Sequence, residues 1–169
     1  MRVTTQRRVV EVTPTESAYV RRGVPATAHV AGHPVHAALV PFPIVCFTLA
    51  LLTDVAYWQS GTLMWQHFSA WLLFVGIVMG GLAALFGLVD MLSRDRLRSD
   101  RNAIVHGVGN VIVLLLALVN NLVHARDGWT SVVPWGLTLS ALTVLGMIVT
   151  VWFGRDMVFR EGVGVRYDV

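Results

Sequence analysis

Histidine and aspartate are the side chains of this sequence best equipped for chemistry, and several of them stand where apolar segments begin or end. His33 and His36 lie in the run GHPVH before the first such segment, Asp90 closes the second, and His106 opens the third. Neutral imidazole together with carboxylate is the ligand mix of zinc, copper and iron sites, and two imidazoles on facing helices can ligate haem axially. His33, His36, Asp90 and His106 are therefore a candidate metal site. His36, His106 and Asn110 are a candidate cofactor-binding set, because Asn110 lies one turn past His106 and can orient its ring. A haem or transition metal held there would serve electron transfer. Two other readings use the same residues. They can cap helix ends and bond to one another, with Arg94, Arg98 or Arg101 as partners of Asp90, or they can handle a proton or a small ligand. The spacing matches no established zinc pattern. A second polar group, Asp54, Asn120, Asn121 and His124, gives a weaker signal.

Other chemistries lack support. There is no nucleophile with a base at short spacing, no CxxC or CxxCH, no phosphate-loop run and no internal repeat. The glycine pair Gly162 and Gly164 reads as a turn, and the single cysteine, Cys46, sits inside an apolar run.

The elements that must position these residues follow from composition. Of the 169 residues 55% are hydrophobic and 14% charged, with a mean hydropathy of +0.64, whereas a soluble domain carries about 25% charged residues. A bilayer span needs about 20 largely apolar residues. Four such runs are present, from Ala37 to Trp58, Phe68 to Leu92, Ala103 to Val123 and Val132 to Phe153. Their connections, Gln59 to His67, Ser93 to Asn102 and His124 to Ser131, are short, so neighbouring helices must run antiparallel. The fold expected is all-α: an up-down four-helix bundle in a membrane, spanning 33–154 between a mobile N-terminal tail (1–32) and a C-terminal tail (155–169).

Orientation follows from arginine, which supplies all 13 basic residues. Short loops rich in basic residues stay on the cytoplasmic side. With the N-terminus inside, Arg2, Arg7, Arg8, Arg21, Arg22, Arg94, Arg96, Arg98, Arg101, Arg155, Arg160 and Arg166 are cytoplasmic, and Arg126 alone lies outside. Both termini are thus expected in the cytoplasm, with the bundle in a bacterial inner membrane. The first 32 residues contain no apolar stretch of the kind a cleaved signal peptide needs. Within them Arg7 to Val12 reads as extended and Thr13 to Arg22 as a short helix, with Thr13 and Glu16 at capping-box spacing.

Each span has a face for its neighbours. Lipid provides no hydrophobic force between helices, so small residues matter because they let backbones approach. In the second span Gly76, Gly80, Ala83 and Gly87 fall on one line that Asp90 continues. In the third, His106, Asn110, Ala117, Asn120 and His124 share a stripe whose two histidines are five turns, about 27 Å, apart. In the fourth, Gly136, Ser140, Thr143 and Thr150 align. Pro41 and Pro43 remove amide donors from the first turns of the first span and predict an irregular start to it. His67 projects away from the glycine line of the second span and, like Trp58, Trp65, Trp71, Trp129, Trp135 and Trp152, suits an interfacial anchor.

Several runs together resemble a bacterial family of predicted membrane proteins, domain of unknown function 2231: GHPVHAALVPFPI, GLVD, HGVGNVIVLLLALVN and VFREGVGV, with Asp54 between the first two. The resemblance covers about Gly32 to Val165 and implies a four-helix integral membrane protein with no established reaction. Some relatives are joined to iron–sulfur or cytochrome modules, which adds weight to a redox role. The polar positions it carries over are His33, Pro34, His36, Pro41, Pro43, Asp54, Asp90, His106 and Asn110; Glu161 departs from it, standing where relatives often have histidine. The functional expectation is a non-enzymatic accessory or scaffold component, in contact with lipid and with a membrane redox partner or further copies of itself, but not with nucleic acid. The alternative is the electron carrier.

Overall fold

A computed structural model describes residues 26–31, 33–126 and 130–163. The capping box at Thr13 and Glu16, the extended Arg7 to Val12, Trp129 and Gly164 lie outside the described residues. In chain order the elements are β1 (His29–Val30), β2 (His33–Pro34), α1 (Val35–Leu39), α2 (Pro41–Ser60), α3 (Leu63–Ser93), α4 (Asp95–Arg98), α5 (Arg101–His124), a wide turn at Val132–Gly136, and α6 (Leu137–Glu161). The two short strands pair antiparallel, His29 with Pro34 and Val30 with His33, and qualify the all-α expectation by a minimal hairpin. Four stretches are long and apolar enough to cross a bilayer: Val35–Ser60, Leu63–Ser93, Arg101–His124 and Val132–Arg160.

Several helix ends differ from those expected, for one physical reason. Hydropathy reports where hydrocarbon ends, but i→i+4 bonding continues through polar residues until the backbone departs from helical angles. The second span thus begins at Leu63, not Phe68, and the first connection shrinks to the pair Gly61 and Thr62. Gly61 closes α2 in the left-handed region (φ 66°), which a side chain rarely adopts. The last helix runs on from Phe153 to Glu161 and is closed in the same way by Gly162 (φ 69°), so 155–161 is helix. The charged connection contains α4, and Asp100 caps α5 by accepting from the Ala103 amide at 2.9 Å. At the prolines amide donors are lost between α1 and α2, but Val40 keeps helical angles (φ −54°, ψ −37°) and donates to the His36 carbonyl, so the two run on as one stretch.

Helices α2, α3, α5 and α6 each pack against the next in the chain, and α6 packs back on α2. The late part of α2 and the end of α5 meet the beginnings of α3 and α6; the start of α5 meets the late part of α6 at the other end. A core of Phe47, Ala50, Leu73, Val113, Ala117 and Met147 lies between these ends. Around it the distribution is the reverse of a soluble protein. Asp54, Ser69, Asn120 and Thr143 have no exposed surface, while Leu52, Leu85, Leu122, Leu145 and Trp152 point outward, each more than half exposed. Such an apolar exterior costs nothing when the solvent is hydrocarbon.

Small residues let the helices touch. A Cβ on Gly76 would lie 2.5 Å from the Phe47 ring, and one on Gly80 would lie 2.7 Å from Leu114 and 3.4 Å from Pro43. Gly109 and Gly146, which the small-residue reading did not single out, do the same between α5 and α6, against Thr150 and Val113.

Candidate functional site

The polar side chains of the spans collect in two clusters, one at each end of the core. At the end nearer the hairpin, His36 projects from α1 onto α3, where its Nδ1 donates to the Ala83 carbonyl at 2.8 Å. The ring lies against Gly87, whose missing side chain makes the space: a Cβ there would stand 3.0 Å from Nδ1. His106, in the second turn of α5, donates from Nδ1 to the Thr150 carbonyl of α6 at 2.8 Å and lies against Gly154 in the same manner. Asn110 follows one turn later. Its Nδ2 donates to the His106 carbonyl at 2.8 Å and faces Nε2 of the ring at 3.2 Å, while its Oδ1 accepts from the Thr150 hydroxyl at 3.2 Å. The His36 and His106 rings stand edge to face, 6.2 Å between centroids.

The structure thus brings His36, His106 and Asn110 together but does not assemble the four-ligand set. His33 is exposed in β2, paired with Val30. Asp90 lies one turn beyond Gly87 and accepts the main-chain amide of Thr27, so it ties the segment before the hairpin to α3. Its expected arginine partnership is corrected accordingly, with Arg98 paired to Asp95 inside α4. Among the described residues, no three His, Cys, Asp or Glu side chains are grouped so as to hold a metal ion. The physical reason is placement: α1 packs on α3 so that His36 meets the Ala83 carbonyl, while the hairpin carries His33 to the surface.

The other cluster is the better buried of the two. Asp54 of α2 receives the Ser140 hydroxyl of α6 on Oδ2 at 2.6 Å and faces His124 Nε2 of α5 through Oδ1 at 2.9 Å. His124 Nδ1 lies 3.0 Å from the Asn120 carbonyl, and the Asn120 side-chain amide bonds Ser140 Oγ at 2.8 Å. Gln66 of α3 donates to the His124 carbonyl at 2.6 Å, and its Oε1 is buried without a partner. Gly136 again makes room for a ring, since a Cβ there would sit 2.6 Å from His124 Cε1. Nearby, Thr53 and Ser69 join α2 to α3 through their hydroxyls at 2.7 Å. His67 is exposed, on the side away from this cluster.

Sequence reasoning gave this cluster too little weight and missed Gln66. The signal was available: Asp54, Gln66, Asn120, His124 and Ser140 are the polar residues at corresponding depths of all four spans. Polar groups at one depth in hydrocarbon must find each other, because nothing else there bonds them.

The network joins helices in every adjacent pair and also across the bundle: α2 to α3 by Thr53 and Ser69, α2 to α6 by Asp54 and Ser140, α3 to α5 by Gln66, α5 to α6 by His106 and Asn120, and α2 to α5 by Asp54 and His124. Chemically it offers interhelical adhesion, plus one buried carboxyl–imidazole pair.

No curated protein and no solved structure matches this chain. A family model does, over residues 32–167, which takes in both polar clusters and all four spanning stretches. The chain belongs to the family described as predicted membrane protein, domain of unknown function 2231.

Proposed function

We propose that the protein is a non-enzymatic accessory or scaffold component of a bacterial cytoplasmic membrane, an up-down bundle with both termini inside. The observation that carries this reading is the fate of the polar side chains. His36, His106, Asp54, Ser140, His124 and Gln66 bond to one another or to helix carbonyls, so they hold four helices in fixed register. The orientation rests on the arginines, 12 of 13 of which fall on one side. That side attracts anionic lipid at about 1 kcal/mol per arginine near the surface. It is also where a membrane redox partner or a second copy would dock. The electron-carrier alternative, with haem or a transition metal on His36, His106, Asn110 and their neighbours, has less support: both Nδ1 atoms donate to carbonyls, and Asn110 covers the remaining nitrogen of His106.

The test is crosslinking in the native membrane, followed by purification, an absorption spectrum and metal analysis. A defined crosslinked species, with no Soret band and no stoichiometric Fe, Cu or Zn, is expected. A cofactor at one per chain, lost in His106→Ala but kept in His67→Ala, would overturn the scaffold in favour of the carrier.

A further inference from the structure

His106 and His124 are anchored alike on one ring nitrogen and differently on the other. Each Nδ1 lies within 3.0 Å of a main-chain carbonyl, Thr150 for His106 and Asn120 for His124. A carbonyl oxygen accepts and never donates, so Nδ1 of His106 carries hydrogen, and so does that of His124 while the Asn120 amide nitrogen faces Ser140. Nε2 of His106 then accepts from the Asn110 amide at 3.2 Å, which completes a neutral ring. Nε2 of His124 instead meets the Asp54 carboxyl at 2.9 Å. A neutral ring with its hydrogen on Nδ1 has none to give there, and an ionised carboxylate has none either. The contact therefore requires one more proton, on Nε2 or on Oδ1.

Turning the Asn120 amide over changes where the proton is needed. Its nitrogen then donates to His124 Nδ1 at 3.1 Å and to the Gly136 carbonyl at 3.2 Å, and the ring hydrogen moves to Nε2, which donates to Asp54 Oδ1. The one hydroxyl hydrogen of Ser140 then lies between two oxygens, Asn120 Oδ1 at 2.8 Å and Asp54 Oδ2 at 2.6 Å, and a protonated Asp54 carboxyl supplies the second hydrogen. Burial points the same way. Both side chains are fully inaccessible, so the pair without this proton is an isolated negative charge in hydrocarbon, and with it the pair is neutral.

We propose that Asp54 and His124 together hold one shared proton, and that this pair is a proton-binding site which exchanges with the solvent at its end of the bundle. The route is marked by Ser131, which is 5% exposed and has a hydroxyl without a partner. It lines a cleft of about 420 Å³ with Arg126, Thr130 and Trp135. The Ser131 carbonyl would be 2.8 Å from a Cβ on Gly136, the glycine against which the His124 ring lies. One residue thus separates cleft from imidazole. On the other flank the orphaned Oε1 of Gln66 offers a second acceptor for a proton-carrying water. Among the described residues, the other ionisable groups at this end are Tyr57, buried one turn beyond Asp54, and the exposed His67 and Arg126; α6 contributes none.

The proton is counted on the full chain in lipid nanodiscs, using ¹⁵N-histidine NMR for the ring and infrared spectroscopy for the carboxyl. His124→Gln assigns the ring signal and Asp54→Asn the acid band; Asn retains one donor and one acceptor, as the protonated acid does. If either variant fails to fold, selective isotope labelling of aspartate or histidine in the wild type replaces the assignment. The expected result is a His124 ring protonated on both nitrogens, or a protonated-carboxyl band from Asp54. A singly protonated His124 with no acid band overturns the proposal. Exchange is read by transfer into D₂O: the His124 or Asp54 signal shifts in the wild type and shifts more slowly in Ser131→Val. A signal that never shifts, or one indifferent to Ser131→Val, overturns the exchange route.

Discussion

Three imidazoles in this protein lie where a glycine on a neighbouring element leaves room for them, His36 on Gly87, His106 on Gly154 and His124 on Gly136. A ring displaced by even a methyl group loses the geometry of its Nδ1 bond, because the backbone carbonyl on its far side cannot follow. Gly136→Ala places its Cβ 2.6 Å from the His124 ring and 2.8 Å from the Ser131 carbonyl. A loss of about 1–3 kcal/mol is expected from such overpacking. Gly81→Ala and Gly107→Ala meet nothing within 4 Å and sit in helices, so they should stabilise by about 0.5–1 kcal/mol. Thermal melts of the three variants in one detergent check the order. At Asp54, a leucine would leave the Ser140 hydroxyl and the His124 ring buried without a partner, about 1–3 kcal/mol for each, so Asp54→Leu should abolish the folded, monodisperse species. Asp54→Asn retains the bond to Ser140 and to the ring and should preserve it.

At the scale of elements, α3 is the helix on which the rest depends, since it touches α1, α2 and α5 through successive members of one face. Gly76 meets Phe47 and Cys46 of α2, Gly80 meets Leu114 of α5 and Pro43 of α2, the Ala83 carbonyl receives His36, and Gly87 carries its ring. Gly80→Leu would force α5 and the start of α2 apart, and a several-fold fall in folded yield is expected by size-exclusion chromatography. Unchanged yield from leucine at Gly76, Gly80 and Gly87 together would mean that this face looks at lipid, and the bundle would be wrong. The helix α1 exists as a separate piece because Pro41 and Pro43 cannot donate to the carbonyls of the preceding turn. The backbone nevertheless stays helical at Val40, so His36 lies on the inward face that Asp54 shares five turns later.

For the whole molecule, the inside-out distribution of polarity fits a bilayer, and the arginines carry the proposed direction. Reporter fusions are expected to read inside at Val169 and outside at Gly61 and Gly128; reversed activities would overturn the orientation and with it the sidedness of both clusters. The two clusters stand at opposite ends of an apolar core containing Phe47, Leu73, Val113 and Met147, so the proton proposed on Asp54 and His124 belongs to one end alone. Replacement of the other cluster's His106 by Gln should therefore leave the His124 signal unmoved, which the same NMR measurement checks.

Four spans, their neighbours and the small-residue faces were legible in the sequence, because length against bilayer thickness and helical period are local properties of a chain in hydrocarbon. The amide donors missing at Pro41 and Pro43 were legible too, although the backbone keeps helical angles at Val40. The partners were not. Whether His36 meets His33, Asp90 or a carbonyl depends on where α1 lies across α3, and the accommodation of each ring depends on a glycine tens of residues away, such as Gly154 for His106. Sequence placed His33, His36 and His106 foremost because they stand where spans begin. Tertiary structure moved the weight to Asp54, His124, Ser140, Asn120 and Gln66, which are scattered over four helices and meet because polar atoms at one depth of a membrane have no other partners.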